Sequence, residues 1–270
     1  MESRKKSFWV GTSAAIYGVL ALNAPAAAQT CALDLSRPII IPRNPKDPAD
    51  TEKRAYRLAD GAVVFVGRLT IDADGHPRAY GPRGTGLDDL GNAGRPGNWW
   101  GLATDRRDCG PTGTPILQQA GDPAPGFFVS KTTMTAGTGC RRQVNYVHSG
   151  KIPYVALPPA IAKIARNQGR LAVVHNPAGR ATAFAVHADG APPFGIGEGS
   201  MALARRLGLS DNPRRGGMNG RGLIYIVLPR QTGFPRDAAD VDSRAQAAFT
   251  AWGGPARLAA CRAAVERAPR

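Results

Sequence analysis

The sequence predicts a mainly β protein with flanking helices, and three observations carry that prediction. Short β-branched and aromatic runs recur between turn signals: "AVVFVGRLTI" at 62–71, "GFFVSKT" at 126–132, "IPYVALP" at 152–158, "RLAVVHN" at 170–176, "ATAFAVHA" at 181–188 and "GLIYIVLP" at 222–229. Helical signals are few and lie at the margins of these runs. The regular strand–helix alternation of a parallel α/β sheet is missing. Six or seven short strands of this kind close into a barrel or a strongly curved sheet.

Each element has a local reason. "DADG" after the first run is a tight turn, and "NPAG" at 176–179 joins two strands as a hairpin. "PPAIAKIARN" fits a short helix, and so does "MALARRLGL" after Glu198. From about Ala238 the chain reads as one or two Ala-rich helices broken at Gly253-Gly254. Residues 80–126 are rich in Gly and Pro, with "NWWGLATD" as their apolar island. Long irregular regions of this kind in a compact domain are often functional.

The first residues belong to another category. Arg4, Lys5 and Lys6 precede an apolar run from Phe8 to Leu22, and "APAAA" ends it with small residues. This is the pattern of a secretory signal peptide over 1–28, cleaved near Ala28. An arm over 29–60 follows, in which "IIIPRNPKDPAD" reads as a short strand and then an extended stretch, and after it a single domain over 61–270. The expected protein is secreted or periplasmic, with no membrane span. In such a compartment four cysteines without a CxxC pair, Cys31, Cys109, Cys140 and Cys261, read as two disulfides. Spacing favours Cys109–Cys140 and Cys31–Cys261 among three possible connectivities.

The chain has 270 residues, 35 Lys and Arg against 20 Asp and Glu, and a formal net charge of +15. Such a balance fits an anionic partner or a basic solvated surface. The basic residues are scattered and not interleaved with aromatics as in single-strand binders, so no nucleic-acid partner is expected. The four histidines form no HExxH or close ligand cluster, so no metal and no cofactor are expected.

"AFAVHADGAPPFGIGEGS" holds the most informative pair. Asp189 ends an apolar strand, and Glu198 follows nine residues later on a loop of glycines and prolines. Two opposed carboxylates are what glycoside hydrolysis requires, one to protonate the leaving oxygen and one to act as base or nucleophile. A structural role fits the same residues: Glu198 as the acid complementing a helix N-terminus, Asp189 as a turn residue. His187, two residues before Asp189, sits on the same side of an ideal strand. Asp72, Asp74, Asp88 and Asp89 add acidity upstream, and Trp99 and Trp100 offer faces for sugar stacking or for core packing.

Taken together, "FFVSKTTM", "IPYVALP", "LAVVHN", "AFAVHADGAP" and "IGEGSMALARRLGL" resemble the family 75 glycoside hydrolases, the fungal-type chitosanases. "LTIDADGHPRAYGP", "GLDDLGNAG", "NWWGLATD" and "DPAPGFFVS" resemble the N-terminal half of bacterial relatives. The resemblance spans about residues 60–253. It implies a six-stranded barrel of the double-psi kind and a monomer without cofactor. It also implies internal cleavage of a chitosan-like polysaccharide with inversion, and it places the catalytic acids at Asp189 and Glu198. Asp72, Asp74, Asp88, Asp89, Trp99, Trp100, Lys131 and His187 are then expected along the substrate cleft. Two positions depart from the pattern. Gly190 follows Asp189 directly, and Lys131 stands where a small hydroxyl residue is expected. Electrostatics at a helix N-terminus assigns Glu198 as the base and Asp189 as the acid. The rival expectation is a non-catalytic glycan- or wall-binding protein on the same barrel.

Overall fold

The computed structural model describes residues 30–137, 139–163, 168–229 and 233–269. The expected signal peptide and residues 164–167 of the expected helix at 158–167 lie outside them.

Six strands form a closed barrel. They are β3 (Val63–Asp72), β4 (Tyr154–Leu157), β5 (Leu171–Asn176), β6 (Ala181–Gly190), β7 (Glu198–Ser200) and β8 (Met218–Val227). The order around the wall is β3-β7-β4-β6-β5-β8, and β8 pairs back onto β3. Two neighbouring pairs, β3 with β7 and β4 with β6, are parallel. The hairpin β1 (Ile39–Ile41) and β2 (Lys53–Arg57) continues the sheet beyond β3. The expected short strand at the start of this arm is β1, and the stretch read as extended adds a second strand, β2.

The strand runs are apolar throughout because both faces of the wall are covered. Val63, Phe65, Val155, Leu157, Val174 and Tyr225 fill the interior with Leu203 and Leu207. Val64, Val173, Ile224 and Ile226 face outward under Phe249, Trp252 and Leu258. Those last three come from α3 (Ala238–Trp252) and α4 (Gly254–Arg267), which break at Gly253 as expected. Two short helices, α1 (Pro159–Ala162) and α2 (Met201–Arg206), follow β4 and β7.

One strand expectation fails. "GFFVSKT" is no barrel strand. It makes isolated bridges, Leu117 with Phe128 and Leu102 with Ser130, inside the long excursion between β3 and β4. The sixth barrel strand is "EGS", whose glycine and length hide it from any periodicity reading.

Cys31 is bonded to Cys261 on α4, and Cys109 to Cys140. Both fit a chain that folds in an oxidising compartment. No helix among the described residues is long and apolar enough to cross a membrane. The Cys31–Cys261 link closes a loop of 230 residues. Replacing both cysteines by serine is expected to lower unfolding free energy by about 3–5 kcal/mol, read from guanidinium melts.

Candidate active site

The site is built on β4. Val155 and Leu157 point into the barrel, so Ala156 between them faces outward. Ala156 pairs with Asp189 on one side and with Glu198 on the other. The two acids thus flank one small residue on the outer wall. Two strand spacings put their Cα atoms about 9.5 Å apart.

A bulge sets the Asp189 position. Val155 pairs with His187 and Ala156 with Asp189, so Ala188 is an extra residue in β6. A bulge re-aims the residue that follows it. The expectation that His187 and Asp189 share one side by simple alternation does not allow for this insertion. Asp189 is 6% exposed. Its Oδ1 accepts from Thr133 N–H at 3.0 Å, Thr133 Oγ1 at 2.6 Å and Gly190 N–H at 2.7 Å. Its Oδ2 is buried with no hydrogen-bond partner among the described residues.

Glu198 is placed by its glycines. Gly197 has φ +85° and lies on the Arg68 carbonyl, where a Cβ would stand 2.0 Å from the oxygen. At Gly199 a Cβ would come within 2.7 Å of the Tyr154 carbonyl. The bare backbone around Glu198 therefore lets β7 fit between β3 and β4. Ser200 then caps α2, its hydroxyl accepting from Leu203 N–H and Tyr154 N–H.

Burial raises both acids. It pushes Asp189 up to about 6, against the Thr133 and Gly190 hydrogen bonds and Lys131, which pull it down. Burial and the neighbouring Asp189 push Glu198 up to about 8, with Arg68 pulling down. This reverses the expected order. Glu198 sits in a strand ahead of α2, not in the helix's first turn, so desolvation outweighs the helix dipole.

Asp72 and Asp74 join them. One carboxylate oxygen from each of Asp72, Asp74 and Asp189 lies within 4.8 Å of the others. Asp72 and Asp74 are both raised well above the usual carboxylate range, by burial first and then by their acidic neighbours. Oxygen-only ligation of this kind suits a hard cation. Among the described residues these three could hold one, whereas the expectation from sequence was no metal.

The other expected residues are distributed unevenly. Lys131 is half-buried, its ammonium donating to the Cys109 carbonyl and acting on Asp74 and Asp189. The hydroxyl that holds Asp189 belongs to Thr133, two residues further on. His187 is buried and, with Thr133, Asp189 and Gly190, borders a cleft of about 820 Å³. Asp88 is buried and holds its own loop, accepting from Asp89 N–H and the Asn92 amide. Asp89 is exposed and pairs with Arg214. Trp99 packs in a cluster with Tyr80 and Leu102, away from solvent, because the loop needs a core of its own. Trp100 is 54% exposed, with its indole N–H on the Asn92 carbonyl. Its neighbour Gly101 lies against the Asp74 carboxylate.

Sequence reasoning missed Thr133, Ala156, Arg68 and the tyrosines Tyr80 and Tyr154. The one available signal was the hydroxyl pair in "KTTM". Comparison with protein families and with characterised proteins finds no match.

Two outcomes follow from this geometry. Gly197→Ala forces a Cβ into the Arg68 carbonyl at a positive φ, and is expected to cost at least about 2 kcal/mol in a denaturant melt. A carboxyl raised in the folded state adds stability at low pH and loses it as pH rises through the folded value. His148, which burial holds down at about 4, has the opposite effect below its ordinary value of 6.5. From pH 6.5 to 8, therefore, the raised carboxyls Glu198, Asp72 and Asp74 should together cause melting temperature to fall, and Glu198→Gln should reduce that fall.

Proposed function

We propose that the protein is a secreted, endo-acting glycoside hydrolase that cuts a β-linked amino-sugar polymer by inversion. The observation that carries the reading is the placement of Asp189 and Glu198 on either side of Ala156, both on the outer wall and both raised by burial. Strands two apart hold the acids on opposite sides of Ala156, the opposed arrangement that inversion uses.

The roles follow from proton affinity. Glu198, at about 8, holds a proton at neutral pH and is the acid that delivers it to the leaving oxygen. Asp189, at about 6, is ionised there and is the base. Three donors fix its Oδ1, which leaves Oδ2 to take a proton from the attacking water. The C–O bond to the leaving sugar breaks as the water oxygen bonds to the anomeric carbon from the opposite side. Asp72 and Asp74 border the Asp189 side with negative charge, which suits a sugar ammonium. Lys131 supports the ionised form of Asp189.

The reading is tested by oligosaccharide release from partly acetylated chitosan. Wild type is expected to release soluble products with a rate maximum between about pH 6 and pH 8. Glu198→Gln and Asp189→Asn should each lower turnover by about 10²–10⁴-fold with the polymer still bound. Turnover that survives both changes overturns the assignment. A wild type that binds the polymer, cuts nothing and is indifferent to Glu198→Gln favours the glycan-binding alternative.

A further inference from the structure

Beyond Glu198 the outer row of β3 runs from Asp72 through Thr70 to Arg68, so its two ends carry opposite charge. Glu198 pairs with Thr70 on β3, one strand further from Asp189. At that level the pairing of β3 with β8 breaks. Gly67 pairs with Leu223 and Leu69 with Met218, so Arg68 alone faces the stretch 219–222. Bulges of this kind turn side chains out of the ladder. Arg68 and Arg221 are both exposed, and both line one cavity of about 220 Å³ with Phe194, Ile196 and Asn219.

The other charges around this cavity are Lys53, Asp50 and Asp47, which with the two arginines leave its lining positive by one. Lys53 is tied to Asp50 and to the Phe194 carbonyl. Asp47 accepts from its own loop at Ala49 N–H. Arg221 has one hydrogen bond, to the Thr51 hydroxyl. Among the described residues neither Arg68 nor Arg221 is in a salt bridge, whereas Arg205, Arg206 and Arg214 are paired with Asp211, Asp242 and Asp89. Guanidinium groups present a planar fork that matches carboxylate, sulfate and phosphate oxygens.

We propose that the sugar on the Glu198 side of the cut bond carries an anionic substituent, held between Arg68 and Arg221. This rests on Asp189 and Glu198 being the hydrolytic pair, with Glu198 on the leaving-group side. The cleft is then bipolar. It is acidic around Asp72 and Asp74 and basic around Arg68, four residues from Asp72 along β3 or about 13 Å. The substrate is a β-linked polymer that combines amino sugars with acidic sugars, not a uniformly cationic one. The arginine excess of the chain then has a local use at this end of the cleft.

The test measures binding without turnover. Asp189→Asn protein is titrated with neutral glycol chitin and with its 6-O-carboxymethyl and 6-O-sulfo forms at low salt. Tighter binding of the charged forms, by about tenfold or more, is expected, and the better of the two identifies the anion. Adding Arg68→Gln and Arg221→Gln should remove that advantage. Arg107→Gln with Arg180→Gln, an equal charge loss at exposed positions elsewhere, should retain it. No preference for the charged polymers overturns the proposal. So does a preference that survives the Arg68 and Arg221 changes, or one that is lost equally in the control pair. Because wild-type turnover is measured separately, an arginine-dependent preference in a protein that cuts nothing supports this site while removing the hydrolase reading.

Discussion

The barrel closes through three residues. β7 has only Glu198, Gly199 and Ser200, yet it pairs with β3 on one side and β4 on the other. Without it the wall would stop at β3 and β4, and two rows of backbone donors and acceptors would lose their partners. The close packing is possible because Gly197 and Gly199 present no side chain to the Arg68 and Tyr154 carbonyls. Ser200 and Ser149 then secure the junction. Ser200 serves Tyr154 and the start of α2, while Ser149 donates to the Asp72 carbonyl and accepts from Met201 N–H. The constraint that shapes the fold therefore also fixes Glu198 at the level of Ala156.

A second consequence is a concentration of acid that no solvated surface would produce. Asp72 and Asp189 are nearly buried, Asp74 and Glu198 are half-buried, and the charges of Asp74, Asp189 and Glu198 raise the proton affinity of others in the group. The long excursion between β3 and β4 supplies the cover. Its Thr133 holds Asp189, its Ser130 hydroxyl lies 3.4 Å from Asp74 Oδ1, and its Lys131 provides one nearby positive charge. The Cys109–Cys140 bond ties this segment together. An irregular region rich in Gly and Pro here acts as a lid over the barrel wall, held by hydrogen bonds rather than by a ladder.

By itself the sequence determined the strand runs β3, β4, β5, β6 and β8, the break between α3 and α4 at Gly253, and the acidic pair in "HADGAPPFGIGEGS". These are legible because local periodicity and turn chemistry leave a pattern in neighbouring residues. The resemblance to chitosanases rests on the same segments and stays at the level of proposal. Only the tertiary structure decided that "GFFVSKT" is outside the barrel and that "EGS" is inside it. It alone inserted Ala188 as a bulge, buried Trp99 while exposing Trp100, and raised Glu198 above Asp189. It also brought Asp72 and Asp74 to Asp189 across more than a hundred residues of chain, and set Arg68 and Arg221 at one cavity. All of these depend on which strand lies next to which, and pairing across the barrel leaves no signal in the residues adjacent along the chain.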